Sequence, residues 1–483
     1  MTSPLLLITF FFLLLQISLS HSALVLPLSH SLSTLHFNTT HNLLKYTASR
    51  SATRFRRHRR QVSLPLSPGS DYTLSFSIGS QTISLYMDTG SDVVWLPCHP
   101  FECILCEGKY SPSTIPNPGP LPLNLTSASP TTCKSSACSA VHSSLPSSDL
   151  CAIAKCPLES IEISECNSFH CPPFYFAYGD GSFVAKLYED TFSIPKSTPS
   201  LTLPKFTFGC AHSALGEPIG VAGFGRGALS LPAQLARTSP DIGNYFSYCL
   251  ISHSFDTTRA RRPSPLILGR YDDDQRENKN NEEDEAAAVY YSYTPMLDNP
   301  KHAYFYCIGL EAVSIGKRRI KAPESLRRVD ERGNGGMVVD SGTTFTMLPK
   351  KFYNSVVSQF DKQVGSIYNR ASGVEETTGL SPCYYGEEGF FSNVPQLVLE
   401  FGGNSRVAMP RRNYFYEFLE KRRKVGCVML MDGGDEAESE GGPAGLLGNY
   451  QQQGFEVVYD LELKRVGFAR RKCANLWDAL NQG

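Results

Sequence analysis

One short pattern occurs twice in this chain of 483 residues. Residues 83–96 read Ile-Ser-Leu-Tyr-Met-Asp-Thr-Gly-Ser-Asp-Val-Val-Trp-Leu, and residues 336–348 read Gly-Met-Val-Val-Asp-Ser-Gly-Thr-Thr-Phe-Thr-Met-Leu. Each copy is an apolar strand, then Asp-Thr/Ser-Gly-Ser/Thr, then a second strand. Each is followed later by two apolar residues and a glycine, Val221-Ala222-Gly223 and Leu446-Leu447-Gly448. A single Asp-Thr-Gly triplet is ordinary turn chemistry. Two copies in the same context, with Asp88 and Asp340 252 residues apart, predict two halves built to one plan around a shared seam.

The residue types also predict chemistry. A carboxyl at the tip of an apolar strand loses water, so it must find partners or take a proton. Glycine lets the backbone approach closely, and the neighbouring hydroxyl, Thr89 or Ser341, supplies a donor. Two such loops meeting across a pseudo-twofold seam set two carboxyls around one water. They cannot both ionise cheaply, so one holds a proton while the other acts as base, as acid-base hydrolysis of an amide requires.

The rest of the sequence favours β structure. Short alternating runs rich in Val, Ile, Tyr, Phe and Thr at 72–78, 82–87, 206–208, 265–268, 304–315, 394–401 and 454–459 are strand signals. The best helical pattern follows Pro349 and places Phe352, Val356 and Phe360 on one face. The chain is therefore read as all-β with minor helices. Lys plus Arg number 45 and Asp plus Glu 46, which gives no basic field for nucleic acid. Two acidic runs, 272–285 and 432–442, are read as solvated loops.

The N-terminal region divides in two. Residues 5–15 are almost wholly apolar and are followed by small residues, which predicts a signal peptide over 1–22 and a soluble mature protein without a stable membrane anchor. Residues 23–61 are read as a basic pro-segment without strand or helix periodicity, carrying Lys45, Arg50, Arg54, Arg56, Arg57, Arg59 and Arg60 and no acid. Cleavage after Arg60 would start the mature chain between residues 61 and 71. Beyond that lie an N-terminal β lobe with a Cys-rich insertion (62–270), an acidic interlobe loop (271–288) and a C-terminal β lobe (289–483). Fifteen cysteines, nine of them between Cys98 and Cys171, predict disulfides rather than a metal site in a secreted chain. Asn124-Leu-Thr126 is a glycan acceptor in a Pro/Ser-rich loop.

At the duplicated motifs the chain resembles the pepsin-like aspartic endopeptidases, and its cysteine-rich insertion is similar to that of their plant nepenthesin-like branch. The resemblance covers roughly residues 70–473. It implies a bilobal pepsin-like aspartic protease fold with the active cleft between lobes, polypeptide substrates, no cofactor, and a monomer made as a zymogen and sent to the cell exterior, cell wall or vacuole. It makes Asp88 and Asp340 the catalytic pair within Asp88-Thr89-Gly90-Ser91 and Asp340-Ser341-Gly342-Thr343. Thr89 and Ser341 become the hydroxyls that lock the loops, and Ser91 and Thr343 the donors to the outer carboxylate oxygens. Tyr178, in Tyr178-Gly-Asp-Gly-Ser182, matches the flap tyrosine, and Trp95 the tryptophan that orients it. Lys186 departs from the glycine usual at its place in the flap. By the same resemblance Cys133 pairs with Cys171, Cys138 with Cys166, Cys151 with Cys156 and Cys383 with Cys427, leaving Cys307 unpaired. Two rivals stand beside an endopeptidase: a catalytically inactive protease-fold binding protein, like the plant xylanase inhibitors, and a carboxylate-pair glycosidase, which leaves the duplicated loops unexplained.

Overall fold

The computed structural model describes residues 23–30, 72–104, 122–143, 147–159, 168–177, 181–194, 201–215, 219–252, 263–270, 289–386, 391–434 and 442–480. Strands dominate, and the architecture is a bilobal all-β fold. The acidic loop 271–288 and most of the second acidic run lie outside the described residues.

In the first lobe the strand Gln81–Asp88 runs parallel to Val221–Gly223, with Asp88 opposite Gly223. The strand Trp95–Ile104 enters from the other side, antiparallel at Trp95 and Val221. The second lobe repeats this arrangement. Met337–Asp340 runs parallel to Gly445–Gly448 with Asp340 opposite Gly448, and Thr346–Leu348 is antiparallel to it at Met347 and Leu446. The two apolar-apolar-glycine pieces are thus the strands on which the Asp loops rest. They are fully buried because strands flank them on both sides.

A central antiparallel sheet joins the halves. Its order is Leu24–His30, Ser264–Leu268, Tyr245–Cys249, Phe455–Asp460, Arg465–Arg470 and Ser292–Leu297. Its buried carboxylates are matched by cations and hydroxyls. Glu456 meets Arg471, Tyr291 and Ser247, and Asp460 meets Arg270 and Arg465. The helix Lys350–Val364 buries Phe352, Val356 and Phe360 as its spacing predicts.

The first strand corrects one part of the reading of 23–61, that it lacks strand or helix periodicity. Leu24, Leu26 and Leu28 alternate on one buried face, Leu24 through Leu28 pair with Leu268 through Ser264, and Ser29 and His30 pair with Thr73 and Tyr72. At its start, the residue 23–30 stretch is an edge strand of the central sheet. The period-two pattern was present, but it spans only three apolar positions interrupted by Pro27, which an edge strand tolerates.

The cysteine insertion also departs from expectation. Cys171 bonds Cys138, not Cys133, so neither Cys133–Cys171 nor Cys138–Cys166 is formed. Strand register explains this. Cys171 donates its amide to Thr131, Thr132 bridges His170, and Cys133 donates to Phe169, so Cys133 stands two steps from Cys171 on the ladder. Cys138, on the helix Ser136–Val141 capped by Ser135, folds back onto Cys171 instead. Cys166 lies outside the described residues. Cys151 bonds Cys156 and Cys383 bonds Cys427, as the resemblance implies. Cys98–Cys210 and Cys249–Cys473 went unforeseen. Cys307 is a buried thiol, which burial pushes up to about 12.

Candidate active site

Asp88 and Asp340 end their strands, both nearly without solvent contact. The Gly90 amide donates to Oδ1 of Asp88 at 2.9 Å, and the Gly342 amide donates to Oδ1 of Asp340 at 2.7 Å. The two carboxyls also face the opposite loops. A Cβ on Gly342 would lie 2.2 Å from Asp88 Oδ1, and one on Gly90 would lie 2.8 Å from Asp340 Oδ1. Each glycine is therefore required where the other loop's carboxyl stands.

The hydroxyls behind the carboxyls interlock with near-twofold symmetry. Thr89 Oγ1 donates to the carbonyl of Val339 at 2.9 Å, and Ser341 Oγ donates to that of Met87 at 3.2 Å. The amide of each residue donates to the other's hydroxyl. Thr343 Oγ1 donates to Oδ2 of Asp340. Ser91 does not do the same for Asp88, and its buried Oγ has no hydrogen-bond partner among the described residues. The expected symmetry of outer donors is therefore half realised. A serine hydroxyl carries no methyl to fix its rotamer, whereas the threonine side chain is stiff at χ1.

Trp95 is buried and stacks on Phe183 at 4.2 Å. Phe183 belongs to the hairpin of Phe174–Ala177 and Ser182–Ile194, which closes with Ala177 opposite Ser182. Tyr178 follows Ala177 in the sequence and lies outside the described residues. Lys186 points to solvent on the returning strand. Asn124 is exposed.

Sequence reasoning passed over several residues that hold these loops. Asp92 sits against the amides of Gly227, Leu229 and Ser230, and burial pushes its carboxyl up to about 6 although those hydrogen bonds lower it. The segment it holds touches the first Asp loop and the far lobe. Phe224 donates to Asp88 O, Gly225 to Ser91 O and Arg226 to Tyr304 O, while the Arg226 guanidinium pairs with Asp298. Asn449 Nδ2 donates to the carbonyl of Ser341 at 2.9 Å. The run of buried glutamines at 451–453, beside an otherwise apolar strand, was the available signal for a polar layer here.

Residues 72–270 match a family model described as the xylanase inhibitor N-terminal domain, and residues 305–470 match the corresponding C-terminal model. The chain is 57% identical over 490 residues to a probable aspartyl protease of Arabidopsis thaliana, covering 96% of each. It is 28% identical over 421 residues to the aspartic proteinase nepenthesin-2 of Nepenthes gracilis, covering 85% of this chain and 80% of that one. Among solved structures it resembles conglutin gamma from lupine seeds, with a TM-score of 0.60 at 18% identity over 94% of this chain and 98% of that one. It also resembles basic 7S globulin from soybean, with a TM-score of 0.57 at 18% identity over 94% and 99%. Those two likenesses concern the fold alone. The duplicated Asp loops, their mutual hydroxyl bonds and these matches together place the chain in the plant pepsin-like aspartic protease family.

Proposed function

We propose that this protein is an aspartic endopeptidase that hydrolyses peptide bonds in proteins at acid pH. The observation that carries the reading is the mutual placement of Asp88 and Asp340, each against the other's glycine loop, with the locking hydroxyls in place. In this reading a water between the carboxyls loses a proton to the ionised one while the protonated one donates to the scissile carbonyl oxygen. Water oxygen bonds the carbonyl carbon, and the proton later passes to the departing amine as the C–N bond breaks. Activity then needs the singly protonated pair and belongs at acid pH. The pairing of Phe174–Ala177 with the strand Ser182–Ile194 supports a closing flap over an extended substrate.

The same reading makes the protein secreted, with a signal peptide over 1–22, a glycan at Asn124 and vacuolar or wall residence. The disulfides support an oxidising compartment. The deciding experiment is hydrolysis of a denatured protein at acid pH by the purified full chain, with and without a statine-type transition-state analogue. Asp88→Asn and Asp340→Asn should each lower turnover by about 10³-fold or more, and the analogue should inhibit the parent. Tyr178→Phe should lower it less, on the order of ten- to a thousandfold.

A second reading, a protease-fold binding protein, is supported by the inhibitor description of both matching family models. It takes over if the parent digests nothing and the analogue does not bind.

A further inference from the structure

The hydroxyl lock ties the two catalytic loops to each other, and a separate polar chain reaches both loops from the central sheet. Tyr459, on Phe455–Asp460, is paired in register with Phe246 on Tyr245–Cys249 and stacks on its ring at 4.6 Å. The ring also packs against Tyr306 at 4.5 Å. Its Oη lies 2.8 Å from Tyr248 Oη and 3.5 Å from Thr89 Oγ1. Tyr248 in turn donates to Gln452 Oε1. Gln452 Nε2 donates to the carbonyl of Leu447 at 2.7 Å and lies 3.4 Å from that of Asp340. All three side chains are buried.

We propose that Tyr459, Tyr248 and Gln452 are positioning residues that hold Thr89 of the first loop and the Asp340 backbone of the second in fixed register with the central sheet. The proposal rests on the endopeptidase reading for its kinetic consequence, but its structural claim does not. Packing alone does not account for the hydroxyls, because phenylalanine would fill the same ring volumes. A buried glutamine whose Oε1 and Nε2 are engaged on opposite sides has one rotamer, so the chain behaves as a strut. Burial raises both tyrosines above their ordinary range, so each remains a neutral hydroxyl throughout the acid range. The strut crosses the seam, since Tyr248 comes from the first half and Gln452 and Tyr459 from the second.

The test uses the full chain and the variants Tyr459→Phe, Tyr248→Phe and the double variant. Thermal unfolding, kcat, KM and peptide-level amide exchange would be measured on each. Each single variant should lose about tenfold in kcat with KM within about twofold, because the loops move but the substrate groove does not. The double variant should lose little more than either single one, since a strut broken once is broken. Amide exchange should quicken by about tenfold in peptides spanning 86–92 and 338–344, with the central strands unchanged. Unchanged kcat and loop exchange, a change in KM alone, or acceleration spread over the whole molecule would each overturn the proposal. If the parent shows no turnover the endopeptidase reading fails, and loop exchange alone decides the strut.

Discussion

Thr89 and Ser341 exchange hydrogen bonds in both directions across the seam, the amide of Thr89 donating to Ser341 Oγ at 3.0 Å and the amide of Ser341 donating to Thr89 Oγ1 at 2.9 Å. Neither residue can lose its hydroxyl without stranding a buried amide on the opposite loop. The lock therefore fixes the separation of the two carboxyls.

Ser341→Ala should cost about 2 kcal/mol, because it leaves the Thr89 amide and the Met87 carbonyl without a partner. Thr89→Val should cost at least as much, for the corresponding groups of Ser341 and Val339. Thr89→Ser should recover most of the loss. Chemical denaturation of the four proteins checks this, and equal stability of all four would refute the lock.

Asp92 predicts a pH dependence. Its carboxyl is pushed up to about 6 from 3.8, so the folded protein takes up this proton before the unfolded chain does. Between these values folding binds a proton, and stability falls as pH rises through the window. The penalty is absent below about pH 4 and complete above about pH 6, on the order of 2–3 kcal/mol. Asp92→Asn keeps an acceptor for the amides of 227–230 and should erase this slope. Unfolding free energies of both proteins from pH 3 to 7 provide the check.

The N-terminal strand predicts what truncation does. Leu26→Asp places a charge in the core face of the edge strand and should cost about 3 kcal/mol or more. A chain begun at residue 61 lacks the partner of Ser264–Leu268 and should be poorly soluble, since it exposes that edge. Secretion yield and unfolding of these forms beside the parent test the strand. Equal behaviour of the parent and both altered forms would overturn this structural role of the strand.

Disulfide mapping checks the insertion. Non-reducing digestion should yield a peptide pair joined through Cys138 and Cys171 and another through Cys249 and Cys473. Cys249→Ser should destabilise by about 2–4 kcal/mol, because that bridge closes a loop of 224 residues. A Cys133–Cys171 peptide would contradict the strand register.

Asp88 and Asp340, their glycines and the hydroxyls of Thr89 and Ser341 were legible in the amino-acid sequence. Their chemistry is encoded in contiguous residues, and the chain states it twice. The strands under them were legible for the same reason, as was the helix Lys350–Val364, whose apolar face repeats at helical spacing. What the tertiary structure decided depends on which distant segments become neighbours. Cys138 rather than Cys133 reaches Cys171 because of a ladder register that no spacing encodes. Leu24–His30 is a strand because Ser264–Leu268 offers it an edge more than 230 residues away. Ser91 and Thr343 occupy equivalent places in the motif, yet only Thr343 meets its carboxylate. Tyr248, Gln452 and Tyr459 are ordinary core residues in sequence. Only the central sheet, which brings strands of both halves together, turns their polar atoms toward the two Asp loops, because a buried hydroxyl or amide must find its partner wherever the fold supplies one.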